Sequence, residues 1–288
     1  MKILVTGANG QLGNEIRMLA TDYSDFQLIF TDVNELDITN EQEVELFVNQ
    51  NKPTHIINCA AYTAVDKAEQ DEETAMLINA TAVGNLAKAA SLHGAILIHI
   101  STDYVFDGNG HRPYCEDDPT SPVSKYARSK LAGELQVSTH SRKALIFRTS
   151  WLYSAFGNNF VKTMIKYGKE RGKLNVVFDQ IGTPTYARDL ASSILKIIQQ
   201  KEEVNGVEIY HYSNEGVASW YDFALAIFEM TGIKCIVSPI ETWQYPLPAS
   251  RPFYSVFNKA KLKNRFNLEI PYWRDSLKDC LHTLAPLL

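Results

Sequence analysis

Hydrophobic positions in the first half of the chain alternate between two textures. Residues 3–6, Gln27–Thr31, His55–Asn58, 95–100 and 144–147 are short, largely apolar runs of strand length. Between them, residues 11–20, 41–49 and 72–93 set apolar side chains at helical spacing. Thr39-Asn40-Glu41 reads as a helix start and Gly94 as a stop. A further helix is expected to begin near Pro122. Strands that are apolar on both faces need cover on both faces. The pattern therefore predicts an α/β fold built on a doubly wound parallel sheet.

After about Trp151 the texture changes. Residues 158–169 look helical, 174–178 strand-like, and Ala187–Gln200, Trp220–Thr231 and Trp273–Leu284 helical, with a proline-punctuated stretch at 239–252. No repeat or low-complexity tract interrupts this. The expectation is a sheet domain over 1–150 and a smaller C-terminal lobe over 151–288, with some elements of the second part returning to the sheet.

Composition narrows the class. The chain has 288 residues, 45% hydrophobic and 21% charged, enough for a sizeable core. A net charge of −5 without a basic cluster argues against nucleic-acid binding. Cys59, Cys115, Cys235 and Cys280 are far apart, with no C-x-x-C pair, which fits a reducing compartment. The N-terminal apolar run is too short for a signal core or a membrane span, so no membrane association and a cytoplasmic location are expected.

Chemistry enters at residues 6–13, TGANGQLG, between the first strand and the first helix. Gly7, Gly10 and Gly13 permit a tight turn and close backbone approach to a pyrophosphate, which the helix N-terminus favours. Asp32 ends the second strand, where a carboxylate can bond the adenosine ribose hydroxyls and repel a 2′-phosphate. The sheet is then of Rossmann type, 1–150 is an NAD(P)-binding domain, and 151–288 is mainly a substrate lobe. NADH or NADPH is the expected cofactor, with NADH favoured.

Tyr126 and Lys130 lie four apart and share one helix face. Read alone, the pair suits a surface helix with a snorkelling lysine better than a catalytic site. The residues Ser101-Thr102-Asp103-Tyr104 alter that, because they follow a buried strand at the edge where ligands of open α/β sheets bind. There an ammonium would lower the phenol's pKa, and the Thr102 hydroxyl could bond a carbonyl oxygen.

With these residues the chain resembles the extended short-chain dehydrogenase/reductase family, specifically its branch acting on 4-keto nucleotide sugars. The resemblance runs through 6–13, 36–39 (LDIT), 60–69 (AAYTAVDKAE), 101–107 (STDYVFD), 126–130, 147–151 (FRTSW), 157–160 (GNNF), 179–185 (DQIGTPT) and Arg251-Pro252. It implies NAD(P)H-dependent reduction of dTDP-4-dehydro-β-L-rhamnose at C4, giving dTDP-β-L-rhamnose, the last step in supplying rhamnose for surface polysaccharide. It implies Tyr126 as proton donor, Lys130 on the nicotinamide ribose and Thr102 on the carbonyl. Gly7, Gly10, Gln11, Leu12, Gly13 and Asp32 would hold the cofactor. Asp37 and Ile38 would lie beside its adenine, and Ala61, Tyr62 and Thr63 along its length. Val65, Asp103, Tyr104 and Trp151 would meet the sugar, and Arg251 the diphosphate. Ala127 stands where relatives often carry glycine, a change a helix tolerates. No metal ligand set is identified, and a homodimer is compatible with the sequence.

From the residues alone, Trp151 is either lobe packing or a flat wall for a deoxysugar. Asn158 and Asn159 either cap the next helix or bond hydroxyls. Arg251 is either a solvated charge or a phosphate contact. A nucleotide-sugar epimerase or dehydratase of the same fold, and a non-catalytic NAD(P)-binding regulatory subunit, are the competing functions.

Overall fold

The computed structural model describes residues 1–285. Six parallel strands form the central sheet: β1 Lys2–Thr6, β2 Gln27–Thr31, β3 His55–Asn58, β4 Ile96–Thr102, β5 Lys143–Thr149 and β6 Gly206–Tyr212. Their spatial order is β6-β5-β4-β3-β1-β2. The order reverses between β1 and β3, so a crevice opens beyond their C-terminal ends, the place where such sheets bind ligands.

Alternation along each strand divides the core. Ile3, Val5, Ile57, Ile98 and Leu145 face the helices Gln11–Leu19 and Ala187–Gln200. Leu4, Ile56, Leu97, Ala144 and Ile146 face Glu41–Asn51, Ala82–His93 and Lys125–His140. Side chains at consecutive strand positions point to opposite faces, so these continuous apolar runs feed two layers of helix.

A separate core joins Tyr153, Val161, Ile165, Leu174, Phe223, Ile227, Trp273 and Leu277. It is built on the helices Phe160–Arg171, Trp220–Thr231 and Trp273–Leu284 and on the strand pair Lys173–Val177 with Ile236–Ile240. Ala187–Gln200 and β6 belong instead to the sheet domain's core.

Local chemistry set several element ends away from the sequence-based expectation. The helix of Tyr126 starts at Lys125, not near Pro122, because the Ser124 side chain accepts from Ala127 N and caps it there. Asn159 likewise caps Phe160–Arg171 by accepting from Lys162 N. The stretch 72–93 is helical throughout, but a π-turn interrupts it at Leu77–Thr81. The strands β6 and Ile236–Ile240 were not anticipated. Their pairing with β5 and with Lys173–Val177 is made across the fold.

Candidate active site

The first turn is shaped by Gly7, at φ +64°, where a Cβ would lie 2.5 Å from the Ala60 nitrogen. The turn thus presses onto the end of β3 and aims the helix Gln11–Leu19 at the crevice. Gly10 caps that helix without a side-chain bond, and its first turn carries no acidic residue. Its N-terminal N–H groups and dipole are left for an anion, and a dinucleotide's diphosphate fits that requirement. Asp32 is nearby: Asn9 N donates to its Oδ2 (3.0 Å) and Val33 N to its Oδ1 (2.9 Å).

A cavity of about 400 Å³ lies at the C-terminal edge of the sheet. Thr102, Asp103 and Tyr104 line it from the end of β4, and Tyr126 and Lys130 from the helix. Gln11 and Leu12 enter from the first helix, Ala61, Thr63 and Val65 from beyond β3, and Trp151 from beyond β5. Lys130 is 2% exposed, so the surface-helix reading of the pair is excluded.

The chemistry of the pair differs from the expectation in one respect. Lys130 Nζ donates to the Ile100 carbonyl at 2.7 Å, anchoring the helix to β4. Burial pulls its ammonium down to about 8, against the Glu134 carboxylate one turn away. Burial pushes the Tyr126 phenol up to about 12, with the Thr102 hydroxyl opposing. Desolvation dominates and the Asp103 carboxyl adds to it, so the phenol is protonated at neutral pH rather than lowered as expected from the neighbouring ammonium. Thr102 Oγ1 donates to Asp103 Oδ1 (3.0 Å) and accepts from Tyr104 N (3.3 Å). To bond a ligand oxygen it must turn its proton away from Asp103. Burial raises that carboxyl to about 6.

Two buried groups hold this arrangement. Glu134 takes both Arg148 Nε (2.9 Å) and Nη2 (2.7 Å) and the Ser101 hydroxyl (2.5 Å), fixing the helix against β4 and β5. Asn79, carried by the π-turn, accepts from Tyr62 N (2.9 Å) and donates to Tyr62 O (3.0 Å) and Ser129 Oγ (2.9 Å). Ser129 in turn donates to Tyr126 O. Asn79 thus ties the loop of Ala61–Thr63 to the helix of Tyr126 and Lys130, a common use of π-turns at functional sites.

The remaining expected residues lie outside the cavity lining. The Asp37 carboxylate accepts from Thr39 N (2.9 Å) and Oγ1 (2.7 Å), while Ile38 is buried among Leu36 and Val44. Arg251 stands at a neighbouring groove, paired with Asp66 through Nη1 (3.0 Å) and Nη2 (2.7 Å). Trp151 has φ +47°, rare for a bulky side chain, and stacks on Trp220 at 3.6 Å with 7° between the rings. Trp220, Cys59, Ser150, Leu152 and Asn158 also line the cavity. Of these the sequence reading had singled out only Asn158, as a cap or hydroxyl ligand; Asn159 does the capping. Trp220 carried no signal beyond its place at a helix start.

A doubly wound parallel sheet with this cavity at its switch point defines a Rossmann-fold oxidoreductase that works with a nicotinamide dinucleotide. Residues 1–285 match the RmlD substrate binding domain family, and the chain belongs to it. A dTDP-4-dehydrorhamnose reductase of Aggregatibacter actinomycetemcomitans is 41% identical over 286 residues, covering 96% of this chain and 97% of that protein. A crystal structure of a dTDP-4-dehydrorhamnose reductase from Clostridium acetobutylicum superposes with a TM-score of 0.94 at 47% identity, covering 99% of this chain and all of that one. Another, from Bacillus anthracis in complex with NADP, gives 0.93 at 42% identity, covering 98% and 99%. Among the described residues no helix is long and apolar enough to cross a membrane, and no group of His, Cys, Asp and Glu is placed to hold a metal ion.

Proposed function

We propose that this protein reduces dTDP-4-dehydro-β-L-rhamnose at C4 with NADH or NADPH, yielding dTDP-β-L-rhamnose, the last step of dTDP-rhamnose supply for polysaccharide. The observation that carries this reading is the convergence of Thr102, Tyr126, Lys130 and Trp151 on one cavity beside the uncapped helix of the glycine turn. The bound cofactor supplies the hydride. Tyr126 gives its proton to the C4 oxygen as that oxygen gains charge, and Thr102 donates a hydrogen bond to the same atom. Lys130, fixed to Ile100, presents its ammonium to the ribose and to the phenolate left behind.

Gly7, Gly10, Gln11, Leu12 and Gly13 hold the diphosphate, Asp37 and Ile38 flank the adenine, and Ala61, Tyr62 and Thr63 follow the cofactor. Val65, Asp103, Tyr104 and Trp151 contact the sugar, and Arg251 reaches the substrate's diphosphate with the N–H groups that Asp66 and Ala249 leave free. On this reading 1–150 is the cofactor domain and 151–288 mainly the substrate lobe. Asp32 favours NADH. The enzyme works in the cytoplasm, and a homodimer is compatible with it.

The test is a spectrophotometric assay of NADH and NADPH oxidation with dTDP-4-dehydrorhamnose and its UDP and GDP analogues. Steady oxidation with the dTDP sugar is expected. Turnover without net cofactor change would identify an epimerase or dehydratase instead. No turnover, with stable capture of an unrelated enzyme, would identify a regulatory subunit.

A further inference from the structure

Beside the catalytic cavity runs a second groove, of about 510 Å³. Phe160, Val177, Trp243, Tyr245 and Phe253 give it flat apolar walls, and Arg251 stands at its margin. Trp220 lines both spaces, so the stacked Trp151–Trp220 pair is their partition. On the reading proposed above, the sugar occupies the cavity and the nucleotide, the remote half of the substrate, occupies the groove.

One buried side chain connects the partition to the far wall of the groove. Gln180 is 4% exposed. Its Oε1 accepts from Trp220 Nε1 (3.2 Å) and its Nε2 donates to Thr242 Oγ1 (3.1 Å). Neither bond can be reversed. An indole nitrogen only donates, and the Thr242 hydroxyl already gives its proton to Asp179 Oδ1 at 2.7 Å. Asp179 also accepts from Thr242 N, at 2.9 and 3.0 Å, which fixes the start of the segment carrying Trp243, Tyr245 and Arg251. A glutamine supplies one acceptor and one donor at these two points. Glutamate lacks the donor, and leucine lacks both.

We propose that Gln180 is a positioning residue for the reduction: it locks the Trp151–Trp220 partition to the Thr242 segment, so that a nucleotide seated in the groove orients the sugar in the cavity. Interactions with a remote, non-reacting part of a substrate raise turnover when they fix the reacting part, and small misplacements of that part are costly. This inference rests on the substrate class proposed above.

The test compares wild type with Q180L in the reductase assay and in calorimetric titration with dTDP and with NADH. Q180L is expected to lose at least about tenfold in kcat, while its dTDP and NADH dissociation constants stay within about threefold of wild type. A structural role alone would move all three together with Tm, and that result would overturn the proposal, as would a kcat within about twofold of wild type. Should Q180L fail to fold, T242V carries the same measurements; it removes the hydroxyl that accepts from Gln180 and donates to Asp179, and leaves the bond from Thr242 N to Asp179. Absence of any oxidation by wild type with the dTDP sugar would instead sink the substrate reading on which this inference stands.

Discussion

Replacing Tyr126 by Phe separates chemistry from packing. The Tyr126 ring is held by Ala68 and Ala75 and meets Tyr104 edge-on at 5.8 Å and 84°. Phenylalanine keeps all of that and removes one oxygen, whose neighbour, Thr102, already has partners in Asp103 and Tyr104. Stability should therefore change by no more than about 1 kcal/mol. The cofactor contacts proposed for Lys130 and the glycine turn would be untouched, so the dissociation constant for NADH should hold. Turnover should fall by roughly 10²- to 10⁴-fold, the worth of a positioned general acid, or about 3–5 kcal/mol of barrier. Steady-state oxidation of NADH measures kcat, and calorimetry measures binding. The pH profile adds a sign. With the phenol near 12 and the ammonium near 8, the wild-type donor is protonated throughout neutral pH. Reduction should weaken as pH rises through about 8, where Lys130 loses its charge. A Tyr126→Phe enzyme with kcat within about threefold of wild type would remove the phenol from the mechanism. Loss of cofactor binding in step with turnover would mean that the oxygen is structural.

Three further outcomes follow from the geometry. Asp32→Ala should raise the ratio of kcat/KM for NADPH over NADH, because the carboxylate facing a 2′-phosphate is gone; an unchanged ratio would count against the ribose contact. Asp103→Asn tests the buried carboxyl. Its folded pKa is raised from 3.8 to about 6, so the native state binds the proton more tightly and stability falls as pH rises between those values. The variant should be more stable than wild type at pH 7, by roughly 3 kcal/mol at most, and the difference should shrink as pH drops to about 4; a difference independent of pH in denaturant titrations would refute this. Gly133→Ala should destabilise by about 1–3 kcal/mol and weaken cofactor binding. The added Cβ would lie 2.2 Å from the Asn79 carbonyl and push the π-turn, with its hold on Tyr62, off the catalytic helix. Unchanged Tm and cofactor affinity would show that this close approach is dispensable.

Much of this was legible one segment at a time. Glycine spacing in 6–13, the apolar runs of β1 to β5 and the four-residue interval from Tyr126 to Lys130 are local signals, because strand and helix periodicities and turn conformations depend on near neighbours. They determined the sheet type, the glycine turn and the phenol–ammonium pair. What they could not determine was which distant groups close the site. Asn79 reads as one polar residue in a helical stretch, and only the π-turn and its approach to Gly133 make it a clamp on Tyr62. Trp220 reaches the cavity and Gln180 the neighbouring groove from beyond residue 150, at a partition whose stacking exists only once the second core has formed. The shifted pKa values of Tyr126, Lys130 and Asp103 have the same origin. They come from the removal of water, and the extent of that removal is a property of packing in three dimensions, to which a residue's own neighbours in sequence contribute little.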